Sequence, residues 1–356
     1  MLSLLTRLFV CGYVLSSLPA HSQNLSFNIQ ADAYSEPVSI KAFTDDWYGD
    51  FKGGEHAFAQ GRAEWLLHQP QYELAAFWRY DYLLDFSEST AQLVHAYKNK
   101  LSPAAGLYPV AVDAHYSEAY GLRWQPLFRP QPHLTLGLGF NLLKGYKLTD
   151  GQVGGQVRLN GQGLDRHSVD NAALNIDYHY DEPQLYEDRL GWQPRNPSGE
   201  GFSLDLYGHW HSEQTSFQLQ LYDVIGQLYW HDVPATQYQA SYQTQPIDHS
   251  LTGQLAIDRR YRQRLPAHGF AELSQQWNTS WRSTLHILAN QEMQLLTVST
   301  GYRWQQWQTS LLAEPQTRAL GLEIRHPNFY LRWLADDFNT NKAHRLGLSL
   351  GFNQSW

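Results

Sequence analysis

His344-Arg345-Leu346-Gly347-Leu348-Ser349-Leu350-Gly351-Phe352-Asn353-Gln354-Ser355-Trp356, the end of the chain, decides how the rest is read. Leu346, Leu348, Leu350, Phe352 and Trp356 fall on one parity. Arg345, Gly347, Ser349, Gly351 and Asn353 fall on the other. Alternate side chains of a strand point to opposite faces, so the segment has one apolar face and one polar or minimal face. Gln354 interrupts the apolar row. The same period of two recurs upstream. It is cleanest at Leu134, Leu136, Leu138, Phe140 and Leu142, which alternate with Thr135, Gly137, Gly139 and Asn141.

A terminal aromatic residue preceded by apolar residues at every second place resembles the closing strand of Gram-negative outer-membrane β-barrel proteins. The resemblance implies an outer-membrane location, contact with outer-membrane lipid and lipopolysaccharide, and handling by barrel-insertion machinery. It assigns no subfamily beyond porin-like.

Composition agrees with that reading and removes others. The chain has 26 basic and 34 acidic residues, net −8, which speaks against a nucleic-acid partner. Mean hydropathy is −0.50, and no long apolar run follows Leu18, which excludes a helical membrane protein. A barrel needs apolar residues only at alternate positions, and its aromatic girdles account for the 13 Trp and 22 Tyr. Residues 1–22 read as a secretory signal peptide, with Arg7 in the n-region, Leu8 to Leu18 as the apolar stretch, and cleavage after Ala20 or Ser22. The only cysteine, Cys11, lies inside it, so residues 23–356, the expected barrel, carry no thiol, disulfide or cysteine metal site.

Period-2 alternation predicts an all-β, up-and-down antiparallel transmembrane barrel of about 18 strands (range 14–18). Candidate strands are 24–33, 56–68, 72–86, 110–124, 134–142, 153–160, 171–181, 201–211, 215–222, 236–244, 250–258, 269–277, 281–288, 294–304, 306–312, 318–325, 328–336 and 345–356. A short helix is expected within 90–100. Connections 69–71, 129–132, 212–214, 278–280 and 326–327 are short. The alternate set, 34–55, 87–106, 182–200, 223–235 and 259–268, is long. That is the bias of periplasmic turns against extracellular loops. Residues 161–170 are too long for their side. An inward fold of 87–106 would resemble the inserted loop of general porins, and no motif there carries the likeness. No plug domain of the TonB-dependent type is expected.

The predicted inward faces carry Arg62, Glu64, Arg79, Asp81, Arg123, Asp177, Asp205, Arg282, Arg303, Glu323, Arg325 and Arg332. Two readings follow: a hydrated, charge-selective conduit for small hydrophilic solutes, or structural ion pairs in a lumen blocked by loops. The conduit is the principal expectation. The alternative is a barrel component of a surface-polymer export or assembly system, acting through protein partners at loops such as 222–231.

Other chemistry is weaker. His209 and His211 share a strand face, but Asp177 and His179 lie toward the opposite rim, so no metal site is expected, nor any cofactor. Asp181, Glu182, Glu187 and Asp188 read as a solvated acidic loop. Thr284 and His286 share the inner face with no third member, while Ser283 faces lipid, so an enzyme is not expected. Arg259, Arg260, Arg262 and Arg264 read as an extracellular hairpin tip able to hold lipopolysaccharide phosphates through bidentate guanidinium contacts.

Overall fold

The computed structural model describes residues 24–162, 168–185, 187–244 and 247–355; the expected signal peptide, residues 1–22, and Trp356 lie outside the described residues. The described residues form sixteen strands in one antiparallel sheet. They are β1 (Asn24–Ser35), β2 (His56–His68), β3 (Tyr72–Phe86), β4 (Gly106–Gln131), β5 (Leu134–Leu159), β6 (Val169–Tyr180), β7 (Ser198–His211) and β8 (Thr215–Thr244). Next come β9 (Ile247–Arg264), β10 (His268–Gln276), β11 (Trp281–Ala289), β12 (Gln294–Trp304), β13 (Trp307–Glu314), β14 (Ala319–His326), β15 (Phe329–Ala335) and β16 (Arg345–Ser355).

Fourteen of these strands close a ring, and the closing strand does what its pattern demands. β16 pairs with β15 on one side and with β1 on the other, Phe352 opposite both Phe329 and Phe27. β5 then passes to β7 and β8 to β10, which completes the circuit without β6 or β9. Those two strands belong to an extension above the ring. The upper half of β5 pairs with β6, and the upper half of β8 lies between β6 and β9. A membrane-spanning strand needs only about 9–11 residues. β4 and β5, with 26 residues each, and β8, with 30, therefore continue well past the membrane.

Sixteen strands instead of about eighteen follow from that length. Residues 153–160 and 236–244 are not separate strands but the upper halves of β5 and β8. Residues 223–235, expected as one of the long loops, contain the turn residues Asp223, Gly226, Asp232 and Pro234. They form bulges instead. Asp223 and Asp232 both have φ of 53°, a left-handed conformation that Asp tolerates better than most residues. The pairing of β7 with β8 jumps between Leu204 and Leu206, beside the Asp223 bulge. Asp205 Oδ1 fixes that bulge by accepting the Asp223 amide at 3.0 Å. Each bulge lets β8 bend away from the ring and keep going.

The outer surface of the ring is apolar. Leu122, Trp124, Phe128, Leu136, Phe140, Leu142, Leu311 and Leu320 stand exposed there. Beside the short turns lies an aromatic girdle of Tyr72, Trp210, Trp277, Trp281, Tyr302, Trp304 and Trp307. In hydrocarbon every backbone polar group must be paired, which a closed ring achieves with strands alone. The protein is an outer-membrane β-barrel.

Two helices cover the extracellular rim: α1 (Ile40–Thr44) and α2 (Glu88–Lys98). Ser39 and Ser87 cap them through their hydroxyls, which accept from the amides of Ala42 and Thr90 at 3.2 Å. α2 is the expected helix, but it does not enter the lumen. Ala91 packs with Phe86, Phe43, Trp47 and the wall residues Ala57, Leu84 and Val112. Ala57 and Leu84 face each other on the outward parity, so the helix lies against the outside of the wall. The porin-type inserted loop is thereby ruled out for residues 88–98.

Candidate functional site: the barrel lumen

Eleven of the twelve residues expected to line the lumen lie on strands of the ring. Asp177 is the exception: it is on β6 in the extension, where it accepts from Gln237 Nε2 at 3.3 Å. The inner charges are not strung along an open tube. They form two networks.

The first network joins β2, β3, β4, β7 and β8. Arg79 donates to Asp81 at 2.7 Å and, across the lumen, to Asp223 at 2.8 Å. Glu64 bridges Arg62 at 3.0 Å and Arg123 at 3.3 Å, and Arg123 lies 3.8 Å from Asp205. The Arg62 guanidinium also sits 3.7 Å over the Phe77 ring and 5.0 Å over that of Tyr222. The second network spans β10 to β16 and β1. Arg325 bonds Glu323 at 2.6 Å and Glu272 at 3.3 Å, with Arg282 3.9 Å from Glu272. Arg345, 2% exposed, donates to Asp32 at 2.8 Å and Glu314 at 2.9 Å. Arg332 reaches Thr297 Oγ1 at 3.2 Å and His286 Nδ1 at 3.4 Å. Arg303 lines the periplasmic mouth with Arg282.

Toward the extracellular end an apolar septum crosses the lumen. Phe58 of β2 meets Leu288 of β11 and Leu295 of β12 from the opposite side of the ring, with Tyr34, Leu83 and Met293 packed around them. Below it, a cavity of about 30 Å³ lies between Arg62, Arg79, Tyr222 and His268.

The first network is not fully satisfied internally. Arg62 Nη2, Arg123 Nε, Gln125 Oε1, Asn141 Oδ1, Asp205 Oδ2 and Gln220 Nε2 are buried and make no hydrogen bond to protein. Such atoms each cost about 1–3 kcal/mol unless something polar completes them. Arg123, Gln125 and Asp205 all come within 3.3 Å of the space in front of Gly139, where any side chain would fill the gap.

Other candidates sort out as follows. His209 and His211 stack at 5.6 Å by the periplasmic turn. His179 stacks on Tyr261 at 3.8 Å in the extension and bonds Asp258 at 2.6 Å, so the four expected groups stay apart. The acidic loop is not simply solvated. Glu187 is fully buried and accepts from Tyr178, from Thr236 at 3.0 Å and from the Leu185 amide at 2.8 Å. Asp181 accepts the Leu148 amide at 3.1 Å, and burial raises its carboxyl above the usual range. Thr284 bonds Ser274 at 2.9 Å, and His286 stacks on Phe270 at 5.5 Å, so this hydroxyl and imidazole are engaged elsewhere. Ser283 accepts from Trp277 Nε1 at 3.0 Å.

The four arginines are not at a hairpin tip. They lie on β9, with Arg260, Arg262 and Arg264 paired to His231, Tyr229 and Gln227 of β8. All four are exposed, and none forms an ion pair among the described residues. Farther round the same outer face, a groove of about 860 Å³ opens between Trp65, Trp78, Tyr120, Leu122, Leu142 and Tyr146, with Lys144 and Lys147 at its edge. Within it Glu118 accepts from the hydroxyls of Tyr116 and Tyr146, and Trp78 Nε1 donates to Tyr146 at 2.6 Å. Glu118 interrupts the outward apolar row of β4 in the sequence, a sign of a bulge; the bulge is there, on β5, where Tyr146 has no partner opposite, and the groove around it was not legible in the sequence.

No protein-family model and no curated protein matches the chain. Among solved structures, it is similar to the toluene transporter TodX of Pseudomonas putida at 9% identity and a TM-score of 0.39, over 96% of this chain and 92% of that one. CymD, a monoaromatic hydrocarbon channel, gives 8%, 0.42, 95% and 89% in the same order. A Pseudomonas aeruginosa FadL homologue gives 11%, 0.35, 94% and 88%. At that distance the likenesses say nothing about what crosses this barrel.

Proposed function

We propose that the protein is an outer-membrane channel for small hydrophilic solutes, held here in a closed state. The observation that carries this reading is the group of buried polar atoms around Arg123, Gln125, Asn141 and Asp205 that make no hydrogen bond to protein. A lumen sealed for structure alone gains by satisfying such atoms internally; one that passes water and polar solutes leaves them to its cargo. The septum of Phe58, Leu288 and Leu295 is then the gate.

Planar-bilayer recording of the folded protein tests the proposal, with Arg123→Gln and Asp205→Asn as paired variants. Expected are discrete openings whose ion selectivity shifts in opposite directions in the two variants. Uptake into liposomes, comparing a charged sugar with toluene, separates a hydrophilic from an apolar cargo. Silence of both the wild type and a Phe58→Ala variant would count for the other reading, a component of a surface-polymer export or assembly system. The extension favours that alternative, since β9 is paired only to β8 and exposes Ile247, Leu251 and Ile257.

As a partner we propose lipopolysaccharide, on the outer face. On β8 the apolar outward residues Phe217, Leu219, Leu221 and Ile225 give way to Gln227, and Arg264 stands beside it. The arginine row thus begins where the apolar belt stops, at the level of lipid phosphates, with the groove available to acyl chains. Serine at Arg260, Arg262 and Arg264 together should lower the lipopolysaccharide carried through purification about tenfold at unchanged folding; equal carry-over refutes the contact.

A further inference from the structure

Directly above the septum, on the inner wall, three side chains from opposite sides of the ring converge. His56 opens β2, Asp85 closes β3, and Glu292 sits in the turn between β11 and β12. One ligand atom from each lies within 4.8 Å of the other two. Among the described residues this is the one group of His and acidic side chains close enough to share an ion.

His56 and Asp85 are partly buried and Glu292 is exposed, so the group is open to ions from the extracellular side. His56 Nδ1 lies 2.9 Å from Asp85 Oδ1, yet this buried nitrogen makes no hydrogen bond. Antiparallel pairing explains why His56 and Asp85 are neighbours, since they stand directly opposite across the β2–β3 pair. It does not explain Glu292, which belongs to the far wall. Met293, the next residue, packs against the cluster of Phe58, Leu288 and Leu295, and Phe58 is two residues from His56.

We propose that His56, Asp85 and Glu292 bind one divalent transition-metal ion, of which Zn²⁺ is the type, and that the ion latches the septum shut. One imidazole nitrogen and two carboxylates form a mixed N/O set suited to a borderline cation, with the fourth tetrahedral position left for water. Calcium and magnesium are poor fits, because they prefer an all-oxygen shell of six or more ligands. An ion held by both walls ties β2 and β3 to the β11–β12 turn. Opening must then either break a metal–ligand bond or release the ion. The latch rests on the channel reading; the metal site does not.

The test uses the full folded barrel in detergent, stripped with chelator, and reads the two parts separately. Titration calorimetry with Zn²⁺ should show one site. Co²⁺ should give the visible absorption of a low-coordinate N/O site. Glu292→Gln and His56→Ala should each weaken Zn²⁺ binding at least tenfold, at an unchanged heat-modifiable gel shift. Unchanged affinity in Glu292→Gln overturns the site, because the ion would then belong to the β2–β3 pair alone. In bilayer recordings, chelator should raise the open fraction of the wild type several-fold and leave Glu292→Gln unaffected by chelator or Zn²⁺. Stoichiometric binding with openings indifferent to Zn²⁺ overturns the latch. Binding with no openings in any state removes the channel reading and leaves the metal site standing.

Discussion

Replacing Arg345 by Met removes the residue that ties the closing strand into the ring. The guanidinium holds Asp32 of β1 at 2.8 Å and Glu314 of β13 at 2.9 Å, and also donates to the carbonyls of Ala33 at 3.4 Å and Leu346 at 2.8 Å. Glu314 is 1% exposed and Asp32 9%. Removing one partner from a buried charge pair costs about 3–5 kcal/mol, because a carboxylate is left in a poorly solvating place. Glu314 keeps two hydroxyl donors, Thr297 at 3.1 Å and Thr317 at 2.7 Å, which sets the expected loss at the lower end, about 3 kcal/mol. Since the loss comes mostly from the stranded carboxylate, Arg345→Met with Glu314→Leu should recover at least half of it. Urea unfolding in lipid vesicles, followed by tryptophan fluorescence and the gel shift, gives both values. A loss below about 1 kcal/mol, or a double variant no better than the single one, would refute the reasoning.

Phe58→Ala opens the septum from one side and should raise the open fraction in bilayers, while costing about 3 kcal/mol of stability as a buried aromatic truncation; an unchanged open fraction means that the gate lies elsewhere. Trp230→Ala removes a fully buried ring and its N–H bond to Gln263 at 3.0 Å, which should cost about 3–5 kcal/mol and expose the extension to protease before the ring. Simultaneous cleavage of both would contradict that order. His344, at the extracellular rim, donates from Nδ1 to the Ser35 carbonyl at 2.8 Å, and burial lowers its pKa below the usual value. The folded state therefore binds fewer protons there than the unfolded one, so this contribution is intact at pH 8 and lost as pH falls below about 6.5. Burial raises Asp113 and Asp181, which act in the opposite direction at lower pH, so the comparison is wild type against His344→Gln at pH 8 and pH 5. Equal pH dependence in the two proteins dismisses the histidine.

The period of two determined most of what is local: the outward and inward faces, the closing strand, the short periplasmic turns and the aromatic belt. These follow from side-chain direction along a strand, which no tertiary context alters. Where the reading slipped, the cause was a residue with two uses. Asp223 and Asp232 are turn residues that here sit in bulges, so one 30-residue strand read as two strands and a loop. Arg259 to Arg264 consequently moved from a loop to a strand. What crosses the lumen was decided only by closure of the ring. Arg79 meets Asp223 over 144 residues of sequence, and Phe58 meets Leu288 because strands on opposite sides of a closed ring face each other. His56, Asp85 and Glu292 converge for the same reason. Alternation tells which way a side chain points, whereas the size and shape of the closed barrel decide what it meets there.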